Sequence, residues 1–218
     1  METRSPLSVM PPELSRAVAD LPFWFVIGGN AVRCFCPYRP TRDVDFGVGT
    51  AANLDEFLDR LGRRGRLEIS ERGPDTAHGH FEGVKFSVFV LDRLAPFVED
   101  RRLNVTGILA TKLHAILDRG ARRDFFDLYV TLEHHSLGLA ECFAALREVY
   151  RKEVGEALLL RALTYFADAE REAPLPGEAP ADFATVKRFF LTRAGQLLVP
   201  PGSRLGIQKR VVDLNDPE

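Results

Sequence analysis

Sulfur is scarce in this chain, and neither sign of charge prevails. Among 218 residues there are three cysteines, two methionines and one tryptophan. Cys34 and Cys36 form a CxC pair and Cys142 stands far away. That spacing, with no second cysteine or histidine cluster beside it, suits neither a disulfide framework nor a zinc site. All three read as small buried hydrophobes in a reduced compartment. The balance of 29 basic against 31 acidic side chains gives a formal net charge of -2, which excludes a protein that coats nucleic acid broadly but leaves room for a local basic patch. No apolar run is long enough to span a bilayer, and the opening METRSPLSVM has no apolar signal core. A cytoplasmic protein without a membrane partner is therefore expected. No internal repeat is present.

What the chain does have is an ordinary globular composition, 45% hydrophobic and 28% charged, enough for one domain or a small two-part body with a real core. The rest is organised around residues 23–46, FWFVIGGNAVRCFCPYRPTRDVDF. An apolar run (23–27) is broken by Gly28-Gly29-Asn30, a short helix-compatible segment follows, and a second strand-like run carries Asp43 and Asp45. The pattern predicts strand, glycine turn, helix, strand. Adjacent glycines allow a ligand close to the backbone, and a helix N-terminus presents unpaired amides to a phosphate. Residues two apart on a strand share a face, so Asp43 and Asp45 are expected to project together. Paired carboxylates repel unless a cation lies between them, and hard oxygen ligands suit magnesium carried by a nucleoside triphosphate.

Glycines at the end of one strand and carboxylates on the next resemble the polymerase-β-like nucleotidyltransferase superfamily. The wider context GGNAVRCFCPYRPTRDVDF resembles the first motif of its AbiEii/AbiGii toxin branch, and the likeness continues in ATKLHAILDRGARRDFFDLYVTL (110–132). It covers about the first two-thirds of the chain.

Elsewhere, Pro11-Pro12-Glu13 opens a helix to about Asp20. Asn53 is read as the N-cap of a helix to Leu61, and Arg60, Arg63, Arg64 and Arg66 follow as a solvated face or an RNA contact. Three strand-like runs (67–70, 78–81, 84–91), with Glu82-Gly83 as a hairpin turn, complete a mixed sheet. Near residues 100–105 the period turns helical. Thr106 is read as capping a helix that ends at Gly120, with Leu109, Leu113 and Ile116 buried and Lys112 on the same side, either snorkelling to water or meeting phosphates. The next helix starts near Arg122 and brings Arg123, Asp124 and Asp127 together, with His134-His135 as its polar end. Two helices follow over 138–169. APLPGEAPAD is read as a linker, Asp182 to Leu198 as a last helix ended by Pro200-Pro201-Gly202, and Arg204, Lys209 and Arg210 as part of a tail. The expected fold is α/β (α+β): a small mixed-sheet core with flanking helices in residues 1–103, then a helical bundle and tail in 104–218.

The resemblance implies a magnesium-dependent nucleotidyltransferase with a toxin-like role, using a nucleoside triphosphate and an acceptor such as tRNA, and a cognate antitoxin as partner. It implies Gly28, Gly29, Asn30 and Arg33 at the nucleotide, Asp43 and Asp45 on the metal, and Lys112 and Asp124 in the helical half of the site, with Arg119 and Arg123 near them. Asp127 is assigned to structure. Many members of the superfamily have a third carboxylate on the last strand, where this chain has Ser87. Two other readings stay open: a degenerate nucleotide-binding protein, and a transferase to a small molecule such as an aminoglycoside.

Overall fold

Strand-period and helix-period patterning sort the chain into a sheet and the helices around it. The structure is a computed structural model and describes residues 3–41, 43–179 and 182–198. Two short helices, α1 (Pro6–Val9) and α2 (Pro12–Val18), lead into strand β1 (Trp24–Val26), helix α3 (Gly28–Phe35), strand β2 (Val44–Val48) and helix α4 (Ala51–Gly62). Strands β3 (Leu67–Arg72), β4 (Thr76–Phe81) and β5 (Val84–Val90) follow. A 3-10 turn (Asp92–Phe97) then leads to the two-residue strands β6 (Val98–Glu99) and β7 (Arg102–Leu103). The remaining elements are helices: α5 (Val105–Asp118), α6 (Arg122–His135), α7 (Leu139–Tyr150), α8 (Glu156–Thr164), α9 (Ala167–Arg171) and α10 (Asp182–Leu198).

Among the described residues the sheet has seven strands, ordered β3-β4-β5-β2-β1-β7-β6. It is mixed, as expected: β2 runs antiparallel to β1 and parallel to β5. Alternation sets its two faces apart. Val44, Phe46 and Val48 of β2, Phe86 and Val88 of β5, and Ala77 and Phe81 of β4 are all buried. They meet Leu54, Phe57 and Leu61 of α4, and the Phe46 ring lies 5.1 Å from that of Phe57 and 5.7 Å from that of Trp24. Asp45, Lys85, Ser87, His78 and His80 take the alternate positions, leaving a polar face. At the β4–β5 hairpin Glu82 (φ 49) and Gly83 (φ 79) are both left-handed, the twist that a two-residue hairpin turn requires.

Several expectations need correction. The cap of α4 is Thr50, whose hydroxyl accepts from the Asn53 amide at 3.1 Å. The cap of α5 is Asn104, whose Oδ1 accepts from the Gly107 amide at 3.0 Å. Each has an extended backbone and a short side-chain acceptor three residues before the amide it satisfies, whereas Asn53 and Thr106 already lie inside their helices. The switch to helix falls where it was expected, with α5 beginning at Val105, but the short strands β6 and β7 just before it went unforeseen, Val26 of β1 pairing in parallel with Arg102. Two residues are too few to show a period, and their turn uses left-handed Asp100 and Arg101 (φ 47 and 62) rather than glycine. α1 and α9 also went unforeseen. Cys34 and Cys142 are buried but Cys36 is only half-buried, and burial pushes the Cys34 thiol up to about 11. Residues 200–202 and Arg204, Lys209 and Arg210 lie outside the described residues.

The described part of the proline-rich segment after α9, residues 173–179, is anchored to the helices. Glu178 accepts from the Leu175 amide at 2.7 Å and from Arg122 Nε at 3.0 Å. The Arg122 guanidinium is buried 4.0 Å above the Phe183 ring and also donates to the Ala169 carbonyl at 3.2 Å. One side chain of α6 thus gathers α9, this loop and α10. Arg122→Ala strands a carboxylate that is 3% exposed, and the expected loss is about 3 kcal/mol in chemical denaturation. The Arg122 hydrogen bond holds the Glu178 carboxyl below its usual range. Its contribution is therefore present above the ordinary carboxylate pKa and lost as pH falls through the lowered one, so the difference between wild type and variant should shrink in acid to what the Phe183 and Ala169 contacts supply. An unchanged difference at low pH would contradict this account.

Candidate functional site

β1 delivers the chain to Gly28, which has φ +60, and a Cβ there would lie 2.9 Å from Asp45 Oδ2. Glycine meets both demands, the left-handed backbone and the room for the carboxylate. A Cβ on Gly29 would press Thr41 Cγ2 at 2.8 Å and Arg39 Nη2 at 3.0 Å. Asn30 is buried and donates through Nδ2 to the Asp43 carbonyl at 3.0 Å, while its Oδ1 accepts from Thr41 Oγ1 at 3.0 Å. It braces the approach to Asp43. Arg33 turns elsewhere: its Nη1 donates to the Val9 carbonyl at 2.6 Å and to Thr41 at 3.2 Å.

Asp45 lies within β2, and Asp43 stands one residue before the strand begins. Burial raises the Asp45 pKa; Lys112, Arg123 and Arg119 pull it down, and Asp43 adds to the rise. Asp43 faces water more, with Lys85 Nζ 3.3 Å from its Oδ2.

The helical half of the site is a buried charge cluster. Lys112 is 6% exposed, so it does not snorkel. Its Nζ lies 2.7 Å from Asp127 Oδ2 and 3.4 Å from Asp124 Oδ1. Both aspartates are fully buried. Arg119 grips Asp124 with Nε at 2.9 Å and Nη2 at 3.1 Å. Arg39 Nη2 reaches both Asp127 oxygens at 3.0 Å, and the Tyr38 hydroxyl donates to Oδ1. Burial pushes the Asp127 carboxyl up, but Lys112 and Arg39 outweigh it and leave it below its usual range. Arg123 is exposed beside this cluster.

Sequence reasoning did not single out Arg39, Tyr38 or His78 as members of this region. The PYRP segment gave a cue, an aromatic and a cation between prolines close to the carboxylates, but not the partner, 88 residues away. Register places Ser87 beside Asp45 and His78 beside Ser87, and His78 Nδ1 is 2.9 Å from Ser87 Oγ. The basic cluster after α4 is paired throughout: Arg60 with Glu56, Arg63 with Asp59, Arg64 with Asp20 and Arg66 with Glu68. That matches a solvated face. A hollow of about 830 Å³ opens between α5, α7 and α8, lined by His114, Arg119, Tyr150, Arg161 and Tyr165 among others.

Asp43 and Asp45 fit a magnesium ion as part of a larger ligand set. Among the described residues no three His, Cys, Asp or Glu side chains gather as a protein cage for a metal. Magnesium is usually held instead by one or two carboxylates plus substrate phosphates, and the space left by the missing Gly28 side chain opens directly onto Asp45 Oδ2.

Residues 92–194 match the family model described as nucleotidyl transferase AbiEii toxin, type IV toxin–antitoxin system. The match takes in Lys112, Arg119, Asp124 and Asp127 but not the first motif with Asp43 and Asp45. An uncharacterised protein of Aquifex aeolicus (strain VF5) is 28% identical over 163 residues, 68% of this chain and 76% of that protein. In fold, the chain is similar to a candidate nucleotidyltransferase from H. pylori in a crystal structure, with TM-score 0.53 and 18% identity over 86% of this chain and 94% of the other. A weaker likeness, TM-score 0.49 and 11% identity over 66% of this chain and 90% of the other, is to the antibiotic-resistance factor ANT(2'')-Ia in solution.

Because the Asp45 carboxyl is raised by burial, its ionised form destabilises the fold. The stability it leaves is whole below the ordinary value of 3.8 and declines as pH rises through the raised one. Asp45→Asn should therefore raise the unfolding temperature at neutral pH and lose that advantage near pH 4. A variant less stable than wild type at neutral pH would contradict the assignment. Lys112→Met, which leaves two buried carboxylates short of a cation, should cost about 3 kcal/mol.

Proposed function

We infer that this chain, a nucleotidyltransferase of the AbiEii kind, moves a nucleoside monophosphate from a triphosphate to an RNA acceptor such as the end of a tRNA, in the cytoplasm. The observation that carries the reading is the opposition of charge across the site: the raised, glycine-cradled Asp45 on β2 with Asp43 just before it, against Lys112, Arg119 and Arg123 of the α5–α6 pair. One side suits a divalent cation and the other suits phosphates. A division near residue 103, with the nucleotidyltransferase core before it and the helical part after it, would put the nucleotide between the two.

In this mechanism Asp43 and Asp45 hold magnesium, which when bound neutralises phosphate charge as a Lewis acid. Gly28, Gly29 and Asn30 position the phosphates through the backbone at the start of α3. Arg33 keeps its place on the segment before Asp43 by way of Thr41. The acceptor oxygen bonds to the α-phosphorus, the bond from that phosphorus to the bridging oxygen breaks, and pyrophosphate leaves. Lys112, Arg119 and Arg123 meet the charge that grows on it, and Asp124 orients the first two. Such a reaction depends on positioning and charge stabilisation, so few side chains suffice. A toxic outcome and a cognate antitoxin as partner follow from the same reading.

The test is incubation with each labelled nucleoside triphosphate, magnesium and either total RNA, protein or aminoglycosides. Label should pass to RNA, and Asp45→Asn should lower transfer by at least about a hundredfold, a loss of roughly 2.7 kcal/mol of transition-state stabilisation. Undiminished transfer by Asp45→Asn would remove the metal assignment. Metal-dependent binding without transfer would favour the degenerate protein, and label on an aminoglycoside would favour the small-molecule enzyme.

A further inference from the structure

An acceptor hydroxyl that attacks phosphorus must give up a proton, and the groups around Asp45 offer few places for it. Asp124 is held by Lys112 and Arg119, and Asp127 by Lys112, Arg39 and Tyr38. The nearby cations Lys85, Arg119 and Arg123 carry donors only. Asp43 and Asp45 are assigned to the metal.

The sheet register supplies an alternative. Asp45 on β2 aligns with Ser87 on β5, and Ser87 aligns with His78 on β4. Aligned residues on neighbouring strands project from the same face, with strands about 4.8 Å apart. The three side chains therefore form a row across the sheet that begins at the carboxylate. Ser87 is buried, and its Oγ lies 2.9 Å from His78 Nδ1. His78 is half-buried, its ring meeting Phe89 edge-on at 5.6 Å. A serine hydroxyl can pass a proton on but cannot keep a second one at neutral pH; an imidazole can.

We propose that Ser87 and His78 form the proton relay of nucleotidyl transfer, an inference that rests on the reading above. As the acceptor oxygen bonds to the α-phosphorus and the bond to the pyrophosphate oxygen breaks, the acceptor proton goes to Ser87 Oγ and the serine's own proton goes to His78 Nδ1. Ser87 ends as a neutral hydroxyl and His78 as an imidazolium, so no further reactant is needed. The reactive tautomer is the one with hydrogen on Nε2, which leaves the Nδ1 lone pair facing Ser87. Ser87 touches the acceptor, and His78 acts through it.

Magnesium-dependent pyrophosphate release, with total RNA or water as acceptor, tests this in wild type, His78→Gln, Ser87→Ala, the double variant and Ser87→Asp/His78→Gln. His78→Gln should lower kcat by about a hundredfold or more, the usual scale of acid–base catalysis, with KM for the triphosphate and the unfolding temperature unchanged. Ser87→Ala should match it, and the double variant should be no worse than either single one. Ser87→Asp should restore most of the turnover lost in His78→Gln, because a carboxylate takes the proton without a relay. Wild-type turnover in His78→Gln, or single effects that multiply in the double variant, would overturn the relay while leaving the transfer reading intact. A wild-type protein that releases no pyrophosphate with any triphosphate would overturn the transfer reading, and the relay with it.

Discussion

Asp127 is the constraint on which the site depends. A fully buried carboxylate is tolerated only where donors surround it, and its donors come from two distant parts of the chain: Lys112 on α5, and Tyr38 and Arg39 between α3 and β2. Such a cluster adds little to net stability compared with an apolar core, because desolvation offsets most of the attraction. What it does is fix a register. The segment that descends to Asp43 is pinned to the α5–α6 helix pair, and the same lysine that pins it reaches Asp45 electrostatically. Remove the carboxylate, and the two halves of the site lose the tie that sets their spacing.

The sheet contributes by leaving one of its faces polar beside these helices. Phe46, Phe86 and Val88 bury against α4, which forces Asp45 and Ser87 to the other side. Gly28, left-handed at φ +60, then lets the chain turn over Asp45 without a Cβ pressing on its carboxylate. A single alternation rule thus aligns Asp45, Ser87 and His78 in one row.

Much of this was legible in the sequence. The strand, glycine turn, helix and strand of residues 23–46 stood out because period and breakers agreed, and so did the mixed sheet and the buried stripe of Leu109, Leu113 and Ile116. The assignment of Asp127 to structure across the helix pair fits its bond to Lys112, although the Tyr38–Arg39 half of its shell was hidden by sequence distance. Capping was misplaced because Asn53 and Thr106 are good caps in isolation; Thr50 and Asn104 win by having the extended backbone that lets a side chain reach back to the third amide. The proline-rich stretch read as a linker from composition, and only the Arg122–Glu178 pair reveals that it is held. Lys112 showed its inward position in the sequence but not its carboxylate partners, since helical spacing reports which side a residue occupies and not what meets it there.

The central claim is that a metal-bound triphosphate sits between the carboxylates at the start of β2, Asp43 and Asp45, and the cations of the α5–α6 pair. A crystal structure with manganese and a non-hydrolysable triphosphate tests it most directly, because manganese takes the same oxygen ligands and is located by anomalous scattering. The account predicts a metal at about 2.1 Å from oxygens of both carboxylates, with the phosphates running from Gly28 toward Lys112. A nucleotide seated instead in the hollow between α5, α7 and α8, with no metal on Asp43 or Asp45, would contradict it.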